Sequence, residues 1–378
     1  MKISRRQFAV AGAGLAVAAA CRTSLAEQSF ELRWAPYADT IAIDAMGGLG
    51  RIDGTPGKLN ELELADGRES GLTGIRLSLA PEGAFWFNDA AYELTLQRIS
   101  EWDREIIAHP QILTQILTGK DFARAKRERT VGLIYGFQET SPIGEDLDRI
   151  DVFYRAGVRL IQLTHNRRNL VGDGAMEPGN AGLSNLGHKM IEALNAKRIV
   201  VDLAHGSRRT ISEAVVAAKG PVIISHTGCA ALSDLPRCVP DESLKAMADR
   251  GGVAGIIFWP YLRKEGQPMA ADVIRHIEHA IKVCGEDHVG IGTDGSVSAL
   301  PRTPEAEEDN RKNIDDMFEQ GIFEKGRSHE LHLFIPDLNS PRRFEMLGAL
   351  LAQRGHSNTR ISKILGGNFA RVMSEVWG

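Results

Sequence analysis

The chain has 378 residues, of which 43% are hydrophobic and 25% charged, and its formal net charge is -4. That length holds one large barrel or two ordinary domains, and the balance is that of a soluble globular protein. Lysines and arginines are scattered rather than gathered into a patch, which excludes nucleic acid and anionic membrane surfaces as expected partners.

The first residues have a composition of their own. Lys2, Arg5 and Arg6 precede a weakly hydrophobic run at 8–20, which reads as a signal peptide and is too short for a membrane anchor. Ser4-Arg5-Arg6-Gln7-Phe8 resembles the twin-arginine export signal, and Ser24-Leu25-Ala26 gives the simplest cleavage point. The expectation is a removed segment 1–26 and a mature chain, periplasmic or secreted, with no transmembrane helix. Lipoprotein anchoring at Cys21 is the alternative, although Ala18-Ala19-Ala20-Cys21 lacks the usual leucine. The mature chain keeps Cys229, Cys238 and Cys284, an odd number without Cys-x-x-Cys spacing, so neither a zinc finger nor a disulfide scaffold is expected. Pairing of Cys229 with Cys238 stays open.

Eight short runs follow, at 41–44, 74–79, 131–137, 160–164, 199–203, 222–225, 252–258 and 289–293. They are almost continuously apolar, as strands buried on both faces of a parallel sheet must be. Segments 147–156, 185–197, 208–218, 243–250 and 271–284 carry apolar residues at helical spacing. Strand and helix alternating eight times predict an α/β fold, a (β/α)8 TIM barrel in a single domain over 27–378. The alternative, an open doubly wound sheet, would bring a Gly-rich phosphate loop after the first strand. Gly47-Gly48-Leu49-Gly50 stands there but lacks the G-x-G-x-x-G spacing. Insertions at about 81–129 and 300–341 follow the second and eighth strands; Phe85, Trp86 and Phe87 in the first either line a pocket or cover the barrel.

The chemistry gathers at the ends of these runs. Ile199-Val200-Val201-Asp202-Leu203-Ala204-His205 and Val222-Ile223-Ile224-Ser225-His226 each end in a histidine, and His288-Val289-Gly290-Ile291-Gly292-Thr293-Asp294 ends in a carboxylate. A lone histidine at a strand end is more often a satisfied structural residue. Three such endings are metal-hydrolase chemistry in outline, because a barrel collects its strand ends on one face. Gln138, Glu139 and His165 end two further runs, and Arg237 lies in the loop after His226. The set describes a metal site with a carboxylate to move a proton and an arginine to clamp an anion. Asp202, His188 and His288 read as structural or surface residues, and Asn368 in its Gly-Gly-Asn turn reads as a helix cap.

The strings around these residues resemble the membrane (renal) dipeptidase family of zinc peptidases. They include Leu163-Thr164-His165-Asn166, Val201-Asp202-Leu203-Ala204-His205, Ser225-His226, Pro236-Arg237-Cys238-Val239-Pro240-Asp241, Val289-Gly290-Ile291-Gly292-Thr293-Asp294 and Gly366-Gly367-Asn368-Phe369. They stand in the family's order along nearly the whole mature chain. The resemblance implies a barrel of the metallo-dependent hydrolase type and assigns roles. His205 and His226 would hold one zinc, and Asp294 would ligate it and shuttle a proton. His165 would polarise the scissile carbonyl, and Arg237 would pair with the free carboxylate of a dipeptide.

Three positions depart from the family. Where the first strand should end in Asp-Gly-His-x-Asp, this chain has Asp44-Ala45-Met46-Gly47-Gly48, so the histidine and second aspartate that hold the other zinc are absent. The bridging glutamate is replaced by Gln138, with Glu139 one residue along. A thioether and a neutral amide are poor zinc ligands, and glycine has none. One zinc rather than two is expected, on His205 and His226 with Asp294, Glu139 or Gln138 completing the set. The expected function is an exported metallohydrolase acting on a small peptide or amide. The alternatives are a small-ligand-binding descendant without turnover and a hydrolase or lyase with another substrate. A homodimer is left open.

Overall fold

A computed structural model of the chain describes residues 32–50, 58–81, 89–324 and 326–378. The predicted signal segment, Cys21 and the aromatics Phe85, Trp86 and Phe87 lie outside the described residues.

All eight predicted strands form: β1 (Ile43–Asp44), β2 (Gly74–Ser78), β3 (Val131–Phe137), β4 (Val158–Gln162), β5 (Val200–Asp202), β6 (Ile223–Cys229), β7 (Val253–Ile256) and β8 (Val289–Ile291). Each pairs in parallel with the next in chain order. Between the two outermost strands, the Ala45 amide donates to the Ile291 carbonyl at 3.0 Å. Sequential order with contact between first and last strand is a (β/α)8 barrel, and an open doubly wound sheet is excluded.

The five predicted helices appear within a few residues of their expected bounds, as Arg149–Arg155, Asn185–Ala196, Arg208–Ala217, Asp241–Ala248 and Ala270–Cys284. Local chemistry starts two of them: Ser184 accepts from the Gly187 amide, and Ser207 from the Thr210 amide, which satisfies amides that the first helical turn leaves open. Among the described residues, no helix is long and apolar enough to cross a membrane.

The barrel interior changes character along its axis. Ile43, Ile134, Leu160, Val200, Ile223 and Val253 form an apolar floor, closed by Phe369, Val372, Met373 and Trp377 of the last helix, Asn368–Trp377. Burying a ring such as Phe369 contributes roughly 3 kcal/mol. Gly290 makes the close approach possible, because a Cβ there would lie 2.3 Å from the Phe369 ring. Two residues further along β2, β4 and β5 the strand alternation brings Arg76, Gln162 and Asp202 to the same interior, all fully buried. Polar groups in that layer need partners, and they lie toward the end of the barrel at which the strands finish.

Two expectations are corrected here. Asn368 does not cap the last helix: its Nδ2 donates to the Glu286 and Val289 carbonyls at 2.7 and 2.8 Å, tying that helix to the start of β8. Only part of the 81–129 insertion can serve the mouth. Its helix Gly119–Glu128 packs at the floor, where Phe122 stacks on Trp377 with ring centroids 6.0 Å apart. Cys229 and Cys238 are free, buried thiols directed at the His276 and Tyr261 carbonyls, not a disulfide.

Candidate active site

His205 and His226 follow β5 and lie within β6, and their Nε2 atoms stand 2.9 Å apart. The His165 ring stacks on His205 at 4.2 Å between centroids. Asp294 brings Oδ2 to 4.0 Å from His226 Nε2, and Arg237 Nη2 reaches the His226 carbonyl at 3.5 Å. Five residues from separate stretches of sequence therefore form one cluster at the strand ends.

The backbone is bent to achieve this. His205 and Asp294 adopt φ of 62° and 53°, the left-handed region that costs a non-glycine residue about 1–2 kcal/mol. Surrounding bonds hold both turns. The Ala175 amide donates to the His205 carbonyl at 2.6 Å; the Asp294 amide donates to Met46, and Trp259 Nε1 donates to the Asp294 carbonyl at 2.6 Å. Strain fixed by its surroundings at strand ends is a mark of a functional site.

Burial, then the charge of Arg237, holds both His205 and His226 well below the ordinary imidazole range, with Arg76 adding to the effect. Burial and Arg237 push His165 down to about 3. All three are neutral near pH 7, the state in which an imidazole ligates a metal or donates a single N–H. His165 Nδ1 is a buried atom with no hydrogen-bond partner among the described residues. Arg237 is 3% exposed, and among the described residues no carboxylate closes on it as an ion pair. Its guanidinium lies 5.8 Å from the Tyr261 ring centre.

The histidine pair fits a cation. Asn166 Oδ1 accepts from His205 Nδ1 at 2.9 Å, which leaves a lone pair on Nε2. Ser225 Oγ lies 2.8 Å from His226 Nδ1 and can accept in the same way. With Nδ1–H on both rings, two lone pairs face each other at 2.9 Å, a gap that two nitrogens about 2.0–2.1 Å from zinc span; in the other His226 tautomer its Nε2–H donates to His205 Nε2 across the same gap. The set is not closed, because among the described residues no group of three His, Cys, Asp or Glu side chains converges as a metal site. Gln138 and Glu139 are both buried at the end of β3, where Gln162 Nε2 fixes the Gln138 backbone carbonyl at 2.6 Å, and Glu139 does not join the histidines in such a group.

The other half of a two-metal centre does not fit. Met46 is fully buried, and its Sδ accepts from Arg76 Nη1 at 2.6 Å. A guanidinium therefore occupies the neighbourhood of the residue that replaces a ligand. Sequence reading missed Arg76, and the signal was available as a lone arginine in the apolar run 74–79, at an inward position of a strand buried on both faces. It also missed Asn166 and Ser225 as orienting partners; their places beside His165 and before His226 were the only hint.

The family model for membrane dipeptidases, peptidase family M19, matches residues 42–320. A dipeptidase of Claviceps purpurea is 27% identical over 304 residues, covering 78% of this chain and 64% of that protein, so this chain spans just under two thirds of that relative's length. An uncharacterised dipeptidase of Schizosaccharomyces pombe is 32% identical over 229 residues, 58% of this chain and 55% of that protein. The structure of an amidohydrolase from Pseudomonas aeruginosa has a TM-score of 0.75 at 27% identity, over 90% of this chain and 98% of that one. A Rhodobacter sphaeroides metallopeptidase, solved with a phosphinate mimic of the dipeptide L-Ala-D-Ala, shares the fold with a TM-score of 0.72 at 17% identity, over 90% of this chain and 100% of that one. Since the matched segment takes in every strand of the barrel, the chain belongs to the membrane dipeptidase family, peptidase family M19.

Proposed function

We propose that the protein is an exported metallohydrolase that cleaves the amide bond of a dipeptide, or of a similar small substrate with a free carboxylate. The observation that carries this reading is Arg237, a buried guanidinium beside the histidine pair with no carboxylate of its own closing on it among the described residues. A buried arginine fork pairs with a planar carboxylate through two parallel N–H donors, and such a pair discriminates strongly against neutral ends. Family membership supports the amide substrate, and the Arg5-Arg6 signal supports export.

His205 and His226 would hold one divalent metal, zinc by family, with Asp294 as the nearest further oxygen. Such an ion, when bound, brings the pKa of a water towards about 7 and supplies hydroxide near neutral pH. Arg237 fixes the substrate by its carboxylate, so that the scissile carbonyl lies over the cluster. Neutral His165 donates its N–H to that carbonyl oxygen as negative charge develops there. Asp294 Oδ2 accepts the proton lost by the attacking water and returns it to the leaving amine. Asn166 keeps the His205 ring in one tautomer, and Ser225 orients the His226 ring.

A dipeptide panel assayed with added zinc tests the reading, with C-terminally amidated dipeptides as the discriminating substrates. Free dipeptides are expected to be turned over with a kcat/KM about a hundredfold or more above that of their amides. One observation favours a second reading, a binding protein without turnover: no third side chain completes the histidine pair among the described residues. Thermal stabilisation by dipeptides with no hydrolysis under any divalent metal would establish it in place of the first.

A further inference from the structure

Arg76 is fully buried and heads the bulkiest of the buried side chains among the described residues. Its surroundings are built for it. Gly136 lies alongside, and a Cβ there would come within 2.8 Å of Arg76 Nε. Nη2 donates to the Phe137 carbonyl, and Nη1 reaches Met46 Sδ at 2.6 Å. The carboxylate facing it is Asp202, whose Oδ2 is 3.9 Å from Nη2 and whose Oδ1 accepts from the Ala204 and Ser225 amides at 3.0 and 2.9 Å.

These contacts hold a charge that packing alone does not need. Burying a guanidinium costs several kcal/mol, a cost that its bond to the Phe137 carbonyl and its pairing with the buried Asp202 offset. A leucine or methionine at position 76 would fill the same volume without that cost. Asp202 ties the charge to the strands that carry the histidine pair, since it lies three residues before His205 and accepts from the amide of Ser225, which precedes His226.

We propose that Arg76 is a built-in cation that stands in for a second metal ion, so that the barrel mouth accepts one divalent ion at His205 and His226 and excludes another. This deepens the proposed function and rests on its reading of the histidine pair. Two cations sharing one buried site repel strongly at low effective dielectric, so a fixed guanidinium limits the metal count in a way that ligand loss alone does not. A protein with only missing ligands would regain a second metal once they were restored. This one would not until Arg76 is removed.

The test is zinc stoichiometry and affinity, measured on the full chain by elemental analysis and calorimetric titration with zinc alone. The wild-type chain is expected to bind one zinc. With ligand residues returned by Met46→His, Gly48→Asp and Gln138→Glu it should still bind one, and adding Arg76→Ala should raise the count to two. Two zincs bound by the Met46→His/Gly48→Asp/Gln138→Glu chain with Arg76 in place overturn the proposal. A second comparison covers the case in which those combinations fail to fold. Arg76→Met removes the charge, keeps the volume and should tighten the single zinc site by about tenfold or more, whereas Arg76→Lys should leave it unchanged. Equal affinity in the wild-type and Arg76→Met chains overturns the proposal as well. If both of those chains bind no zinc, the metal reading of His205 and His226 falls first, and the proposal falls with it.

Discussion

Strands β4 to β6 lead into His165, His205 and His226, while strands β1 to β3 present Met46, a buried Arg76 and Gln138 over the same parallel ladder. Both arcs are made by the same strand alternation and rest on the same apolar floor. They differ in how positive charge is supplied. In the proposed reading, neutral imidazoles in one arc make a place for a cation that comes from solution; in the other, the chain carries the cation covalently. A mobile ion can exchange, polarise a water and be removed by a chelator, whereas a guanidinium can only hold its place and its charge.

The largest effect should come from the imidazole arc. His205→Ala removes one of the two nitrogens proposed to hold the metal, and kcat/KM for dipeptides is expected to fall about a thousandfold or more. Activity retained within tenfold in a steady-state assay would take the metal out of the mechanism. The next largest probes Arg237, which belongs to neither arc. Arg237→Ala should raise KM for free dipeptides roughly a hundredfold while amidated dipeptides change little, since one partner of a buried charge pair is lost only for the acid. A uniform loss on both substrates would mean that Arg237 supports the fold and not the carboxylate.

A smaller effect separates ligation from orientation. Asn166→Ala leaves both imidazoles in place but frees the His205 ring to take the other tautomer. Zinc affinity measured by competition with a chelating dye should weaken by about 10- to 100-fold, with the protein's Tm changed little in the absence of metal. Unchanged zinc affinity would show that the histidine pair does not depend on this partner.

The two arcs were not equally legible in the sequence. Runs such as 131–137 and 199–203 announce strands because burial on both faces leaves no room for alternation, so the barrel and its order could be read directly. Residues that end such runs inherit a common face from the fold, which is why His165, His205, His226 and Asp294 could be grouped before any contact was known. Arg76 could not be read in the same way. Its meaning depends on the register that pairs Ile43 with Gly74, and on Met46 turning its Sδ toward it past the end of β1. The absence of ligands at Met46 and Gln138 was visible; what replaced their charge was a tertiary fact. Asn368 failed for a related reason, because local turn chemistry favoured a cap and two carbonyls of a distant segment took its amide instead.

The smallest expected effect tests whether the two arcs also differ in how they respond to pH. Asp44, at the end of β1, has its carboxyl raised to about 7 by burial, against opposing hydrogen bonds from Thr293 and Met46. The unfolded chain releases that proton near its ordinary value of 3.8, so between about 4 and 7 the folded state holds a proton that unfolding releases. Stability from Asp44 is therefore complete below the unfolded value and is lost as pH rises toward 7. The imidazole arc runs the other way. His205 and His226 are depressed, so folding is favoured as pH rises to about 6.5 and is weakened below it. Asp44→Asn isolates the first contribution. An asparagine Oδ1 can still accept from the Met46 and Thr293 amides, as Asp44 Oδ1 does at 3.2 and 2.8 Å, and its Nδ2 can donate to Thr293 Oγ1. From pH 5 to 6 the wild-type chain should lose about 1.4 kcal/mol relative to the variant, roughly 2 °C in Tm for a protein of this size. Parallel Tm profiles for the two proteins across pH 4 to 7 would mean that Asp44 is ionised in the fold, and that the β1 arc carries a buried anion held by the Met46 and Thr293 amides and the charge of Arg343.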